Sequence, residues 1–190
     1  IPRGSVIGID RDESQVLHAT RIAQARGIEN VSFRQGSAYE LPLDDSSFDT
    51  VFCHALLEHL KEPERAIREF RRVLKPEGTL AVCSPDWGGF LLAPPSRELL
   101  AAIERYKSVQ TANGGDVYIG HKLSTILHGA GFENLNMQAR YEVYESLEPI
   151  GEYLAVQLEH AGDIAHGEAL RRWAARPGGM FAQVWVSCTG

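Results

Sequence analysis

The chain has 190 residues, 44 % of them hydrophobic and 23 % charged, and a formal net charge of −6 at pH 7. That is ordinary globular composition, long enough for one domain with a sizeable core. The acidic balance argues against a general nucleic-acid binder, whose affinity comes mostly from neutralising phosphates, though it leaves room for a local basic patch, and no apolar run is long enough to span a bilayer.

No secretory leader or internal repeat is visible. Cys53, Cys83 and Cys188 are far apart, each in an apolar, strand-like run. They read as buried thiols of a reducing, cytoplasmic compartment, not as a disulfide framework or a metal site.

In chain order, Pro2-Arg3-Gly4-Ser5 reads as a loop, with the remnant of a protease site as the other reading. A short buried strand follows over Val6–Ile9 and ends on Asp10. Asp12-x-x-Gln15 has the spacing of a capping box. Val16, Leu17, Thr20 and Ala23 give the next helix an inward face, and Gly27 ends it. An acid at the tip of a parallel strand has two readings: a loop carboxylate or helix cap, or a bidentate acceptor for two ribose hydroxyls. The next strand, Val31–Arg34, runs into the turn Gln35-Gly36-Ser37-Ala38-Tyr39, then Leu41-Pro42-Leu43 and an acidic turn through Asp44 and Asp45.

The stretch from Phe48 to Val82 parses as strand, helix, strand. Val51, Phe52 and Cys53 form an apolar run suited to a strand buried on both faces. Pro63 and Glu64 open a helix. Ala66, Ile67, Phe70, Val73 and Leu74 make its apolar face, and Pro76 and Gly78 stop it. Arg65, Arg68, Arg72 and Lys75 read as a solvated basic stripe on the opposite face. Thr79–Cys83 is the next strand, completing a parallel β-α-β unit.

Ser84–Phe90 then reads as a glycine-loosened loop carrying Trp87, which either walls a ligand pocket or covers the core. Pro94 and Pro95 start a helical insert through Ser108. Asn113–Asp116 is a loop, Leu123, Ile126, Leu127 and Ala130 mark a helix capped by Gly131, and Phe132–Tyr144 is a strand. Two helices, Leu147–His160 and Ala165–Ala174, precede a last strand over Phe181–Cys188.

The tract SFDTVFCHALLEHLKEPERAIREFRRVLKPEGTLAV resembles the fourth-strand to fifth-strand segment of class I S-adenosylmethionine (SAM)-dependent methyltransferases. It is most similar to the ubiquinone/menaquinone-biosynthesis type of small-molecule methyltransferase. The features that carry this are Phe-Asp-x-Val, then Leu-x-His, then a helix with Arg-x-Leu-Lys-Pro-x-Gly and an apolar strand; they are specific as a set, not singly. The resemblance implies an α/β fold with a Rossmann-like, mostly parallel sheet, an antiparallel last strand and helices on both faces. It implies a single domain over residues 1–190, with a helical, lid-like insert near 91–118.

The implied cofactor is SAM, with S-adenosylhomocysteine as product; the implied partner is a small-molecule acceptor, with no nucleic acid and no metal. Asp10 falls where the family carries its ribose-binding acid, and Arg11 where a side chain packs on adenine. Ser37, Ala38 and Tyr39 fall in the adenine turn. There the family usually reads Gly-Asp-Ala, so Ser37 replaces a charged acceptor for the adenine amino group with a weaker neutral one. Ala38 is to offer its backbone N–H. Cys53, His54 and Ala55 fall where backbone groups hold the methionyl part, and Trp87 where the acceptor pocket lies. His54 is a candidate general base; His59 has two readings, a second base or, the preferred one, a residue that orders the turn locally.

No residue is assigned to catalysis, because a sulfonium leaves without protonation and the protein must chiefly align the acceptor and exclude water. No Asn/Asp-Pro-Pro-Tyr follows the strand ending at His54, which disfavours a nucleobase amine as acceptor. The family's first strand, its Gly-x-Gly-x-Gly turn and its helix have no counterpart before Val6. That strand sits beside those carrying Asp10 and His54, so these residues alone are not expected to form a stable version of the fold. Two alternatives remain at this point: a nucleotide-linked (NAD-type) oxidoreductase, since an acid after the second strand also suits the NAD ribose, and a degenerate, non-catalytic methyltransferase-like binding subunit.

Overall fold

The structure, a computed structural model, describes residues 4–190; Ile1, Pro2 and Arg3, part of the loop-or-remnant stretch, lie outside the described residues. Two compact units emerge. One runs to Val51 and resumes over Glu64–Thr79; the other comprises Phe52–Pro63 and Leu80–Gly190.

The first unit opens with strand β1 (Val6–Asp10), helix α1 (Glu13–Ala25) and strand β2 (Val31–Gln35). The strands pair in parallel from Val6 opposite Val31 to Asp10 opposite Gln35. Asp12 is the N-cap of α1, and its carboxylate accepts the Ser14 N–H at 2.8 Å. The expected reciprocal bond from Gln15 does not form. The Asp12 N–H donates to Asp10 Oδ1 at 2.8 Å instead, because a carboxylate two residues upstream closes a local turn without a long side chain having to reach back. On α1, Ala23 is buried and Val16, Ala19 and Thr20 are half-buried, but Leu17 is 51 % exposed. The inward row steps by three and four through 16, 19, 20 and 23, and position 17 lies about 100° off it.

Helix α2 (Pro63–Val73) buries its predicted face: Ala66, Ile67, Phe70, Val73 and Leu74 are all at most 4 % exposed. It ends two residues before Lys75, whose helical conformation the following Pro76 disfavours. The basic residues on its other face are not simply solvated. Arg72 donates to the Leu41 and Leu43 carbonyls at 3.1 and 2.9 Å and to the carboxylates of Glu69 and Asp45. Glu69 in turn accepts the Leu41 N–H at 2.7 Å. Lys75 pairs with Asp49 at 2.7 Å, and the Arg65 guanidinium lies 5.1 Å from the Tyr39 ring centre. The sequence pattern marks these residues as facing away from the core but carries no trace of the loop that comes to meet them.

The four-stranded sheet has the order β3-β4-β6-β5, formed by β3 (Phe48–His54), β4 (Leu74–Ala93), β5 (Asn136–Val143) and β6 (Met180–Thr189). The last strand, β6, is antiparallel to both neighbours. Its ten residues hold β4 from Ala81 opposite Thr189 to Asp86 opposite Val184, and again from Phe90 opposite Gln183 to Ala93 opposite Met180. Ser84–Phe90, expected as a loop, is therefore strand interrupted by a bulge between Asp86 and Phe90. The glycines expected to loosen it sit in the bulge, where a Cβ on Gly89 would lie 2.8 Å from Val184. Phe52 is 69 % exposed, against the expectation of burial on both faces; Val51 is half-buried and Cys53 buried. β3 ends its sheet, and only strands covered on both sides hide every residue.

In the second unit, helices α3 (Arg97–Ala112), α5 (Glu148–His160) and α6 (Ile164–Ala174) contribute to one apolar core with Trp87 and Phe181. Ser96 caps α3 through the Leu99 N–H at 3.1 Å. Short 3-10 turns, Leu57–His59 and Ile119–Lys122, lead to the loop before α2 and to α4 (Leu123–Gly129) respectively. Among the described residues no helix is long and apolar enough to cross a membrane.

Glu58, on the first of these turns, is only 7 % exposed, and its carbonyl accepts the Asp116 N–H at 2.8 Å. Among the described residues its Oε2 has no partner in hydrogen-bonding geometry, nor has the buried Ser84 hydroxyl. Burial pushes the carboxyl up to about 7, against smaller opposing pulls from its own backbone N–H and from Ser84.

Two outcomes are expected from these features. In Arg72→Met the Leu41–Asp45 loop loses its clamp, and hydrogen exchange should accelerate at Leu41 while the β1 and β2 amides keep their rates; equal exchange at Leu41 in both proteins would show that the clamp holds nothing. For Glu58, the folded state keeps a proton that the unfolded chain releases. Its contribution is fully present below the ordinary glutamate range and is lost as pH rises to about 7. Denaturant unfolding should show stability falling over that window by on the order of 3 kcal/mol at most, and Glu58→Gln should flatten this dependence. A wild-type profile no steeper than that of the variant contradicts the assignment.

Candidate functional site

In the first unit the parallel pairing brings the carboxyl ends of β1 and β2 together. The Gly36 N–H donates to the Asp10 carbonyl at 2.9 Å, and Gln35 Nε2 to the Arg11 carbonyl at 3.0 Å. Asp10, Arg11 and the turn Ser37-Ala38-Tyr39 thus stand at one end of this small sheet, where open α/β sheets bind ligands. Asp10 is exposed and is not the helix cap, a role that Asp12 fills. Its Oδ1 accepts the Asp12 N–H, and among the described residues its Oδ2 has no partner. A carboxylate oxygen has two lone pairs, so both oxygens keep capacity for a vicinal diol.

Ser37 Oγ accepts the Tyr39 N–H at 3.1 Å, which spends part of its capacity on the turn itself. Ala38 is half-buried, and among the described residues its N–H has no partner. A cleft of about 280 Å³ lined by Ile9, Asp10, Gln15, Val16 and Phe33 opens beside the acid. A larger one of about 390 Å³ lies against Val6, Ile28 and Val31, at the amino ends of the strands and away from this chemistry.

In the second unit Cys53, His54 and Ala55 stand at the carboxyl end of β3. The Ala55 N–H donates to the Cys83 carbonyl at 2.9 Å, with Ala55 in the left-handed region at φ 50°. Cys53 is buried, and burial first, then Glu58 and Cys83, push its thiol up to about 12. A thiol held that high stays protonated at physiological pH and is a poor nucleophile.

His54 is exposed. Its ring stacks on Trp185 at 4.7 Å and 19° and lies 6.0 Å from Phe52; no hydrogen bond orients it among the described residues. His59 is 3.7 Å from Glu58 Oε1, a local contact in keeping with the ordering role. Trp87 is 5 % exposed and packs on Tyr106 at 4.9 Å and on Phe90 and Phe181 at 6.1 Å, which accounts for it as core.

One pair escaped sequence reasoning. Asp86, 1 % exposed, accepts from the Gly88 N–H at 2.7 Å and the His121 N–H at 3.1 Å, and contacts His121 Nδ1 at 2.8 Å. The two residues are 35 apart in the chain, a separation no local motif spans; the available signal was an acid inside an apolar strand just before Gly-Gly. Among the described residues no group of three or more His, Cys, Asp or Glu could hold a metal ion.

A family model for a methyltransferase domain matches residues 1–144. An uncharacterized 37.1 kDa protein of a Streptomyces fradiae transposon is 29 % identical over 176 residues, 90 % of this chain and 50 % of the relative. The uncharacterized methyltransferase YcgJ of Bacillus subtilis is 43 % identical over 72 residues, 38 % of this chain and 28 % of the relative. The solved structure of the Bacillus subtilis YcgJ protein superposes with a TM-score of 0.64 at 20 % identity, covering 98 % of this chain and 81 % of that one. The chain spans about half the length, or less, of these curated relatives. The fold is that of class I methyltransferases, the strand pattern matches its antiparallel close, and with the domain match covering well over half of the chain, this chain belongs to the methyltransferase-domain family of the class I, SAM-dependent type.

Proposed function

We propose that the protein transfers a methyl group from SAM to a small organic acceptor. The observation that carries this reading is the methyltransferase-domain match over residues 1–144. Further support comes from relatives whose names give small organic substrates. The demethylmenaquinone methyltransferase of Geobacillus stearothermophilus is 35 % identical over 82 residues, and the 27-O-demethylrifamycin SV methyltransferase of Amycolatopsis mediterranei is 38 % identical over 105. A structural neighbour, Haemonchus contortus phosphoethanolamine N-methyltransferase 2, was solved in complex with SAM. None of the relatives named above supports the oxidoreductase or the non-catalytic alternative.

The residues fit the cofactor's donors and acceptors. Asp10 keeps an exposed, unpartnered carboxylate oxygen for the ribose, and the Ala38 N–H is free for a ring nitrogen. Arg11 and Tyr39 are to flank the adenine, with Ser37 as its weaker acceptor. Backbone groups of Cys53, His54 and Ala55 are to hold the methionyl part. The cofactor supplies an electrophilic methyl on a sulfonium, which departs as a neutral thioether. What is left to the chain is to bind, orient and exclude water.

Asp10 tests this reading. Asp10→Asn keeps an acceptor for the Asp12 N–H, so the melting temperature without ligand should hardly move, yet SAM affinity should fall about tenfold or more. Asp10→Ala removes two charge-assisted bonds of roughly 1.5–3 kcal/mol each and should weaken binding about a hundredfold or more. Calorimetry on the full-length protein with SAM and S-adenosylhomocysteine is the measurement. No binding by the wild type at millimolar ligand sinks the reading, and wild-type affinity in Asp10→Ala removes Asp10 from it.

A further inference from the structure

Resting on the methyl-transfer reading, we propose that Asp86 and His121 form a proton-accepting pair beside the acceptor, and that the group methylated is a hydroxyl. The pair is built into the fold. Asp86 Oδ1 takes the Gly88 N–H, and Oδ2 takes the His121 backbone N–H and faces its ring Nδ1 at 2.8 Å. Two glycines make way for it: a Cβ on Gly88 would lie 2.5 Å from His121 Cε1 and 2.8 Å from Asp86 Oδ1, and one on Gly120 would lie 2.6 Å from Asp86 Oδ2.

The carboxylate is 1 % exposed, whereas the histidine side chain is 67 % exposed. A buried carboxylate that accepts the Nδ1 proton fixes the imidazole tautomer, leaves a lone pair on Nε2, and stabilises the imidazolium once Nε2 has taken a proton. The pair also stands where the acceptor is expected. The Cys83 carbonyl holds Ala55 at the end of β3, and Asp86 lies three residues further along β4, beyond the carboxyl end of β3.

The other charged and titratable groups around the ring are engaged elsewhere. Tyr118 meets it edge-on at 6.3 Å, Lys122 is paired with Asp116, and Lys107 pairs with Glu104 while lying over the Tyr118 and Phe90 rings. Two other bases near the carboxyl end of β3 are less suited: among the described residues His54 has no orienting hydrogen bond, and Glu58 is buried. The similar contact of His166 with Asp163 is local, three residues apart at the start of α6.

A sulfonium needs no acid to leave, so a base is useful only where the acceptor must lose a proton before or as it attacks. A neutral amine already offers its electron pair; a phenol, enol or alcohol does not. In the proposed step the O–H proton passes to His121 Nε2, the oxygen electron pair forms the O–CH3 bond, the S–CH3 bond breaks with its electrons retained by sulfur, and the imidazolium later returns its proton to solvent.

The test uses the full-length protein with radiolabelled SAM and four probe acceptors: phenol, 4-nitrophenol, aniline and thiophenol. Transfer to the phenols is expected. His121→Gln should lower kcat on phenol about a hundredfold or more with KM within a few-fold. The loss should be at least about tenfold smaller on 4-nitrophenol, which is largely ionised at about pH 8 and needs little help. Nitrogen-15 resonances should show Nδ1 of neutral His121 protonated and Nε2 bare. Transfer confined to aniline or thiophenol, transfer to no probe, equal losses on both phenols, no loss on either, or a proton on Nε2 of the neutral ring would each overturn the proposal. SAM binding measured on the same samples separates the two readings: without it methyl transfer itself falls, and with it only the hydroxyl assignment does.

Discussion

The second unit depends on a single constraint, the register of β6. Residues Ala182–Thr189 pair without interruption to β5 on one side, and all ten residues of the strand pair to two separate stretches of β4 on the other. Because side chains alternate along a strand, that register decides several things at once. It turns Phe181 into the core among Trp87, Trp173 and Tyr144, and it presents Trp185 to the His54 ring. It also forces β4 to absorb its extra residues in the bulge after Asp86. A slip of one residue would reverse every one of these placements.

The first unit is organised differently. Its loops are fixed by side chains that bond to nearby main chain: Asp10 to Asp12, Asp12 to Ser14, Ser37 to Tyr39, and Arg72 to Leu41 and Leu43. Such bonds satisfy main-chain groups that no ladder or helix can reach. They also place polar side chains at the ends of β1 and β2 with capacity to spare, which a purely apolar turn could not do.

Much of this was legible in the sequence, for identifiable reasons. The buried row on α2 could be read because a period of 3.6 is written directly into residue spacing. The last strand could be read because it alternates, and its antiparallel setting followed from family resemblance. What escaped depends on distant partners. Leu17 is apolar and adjacent to the true stripe, so spacing alone did not reject it. Ser84–Phe90 has the glycines of a loop, and only β6, almost a hundred residues later, makes it a strand. Phe52 looked buried because its run is apolar, whereas coverage of a face is a property of neighbouring elements. The Asp86–His121 contact joins a strand to a short turn across 35 residues, and nothing local announces it. Of the candidate site, Asp10 and Ala38 stand at one strand end as expected, while Trp87 is explained by packing.

Ala55 carries a further consequence. It sits at φ 50°, where an L-residue is disfavoured by roughly 1–2 kcal/mol and glycine is not. The bond from its N–H to the Cys83 carbonyl helps to hold it there. A residue kept in that conformation at the mouth of β3 is a reserve of unrealised stability: glycine would relieve the strain in the folded chain but would widen the range of shapes the backbone samples at that point. The tolerance of the protein to heating and the rigidity of this short segment are therefore set against each other at one methyl group, and selection for a hardier variant would act on the segment as much as on the core.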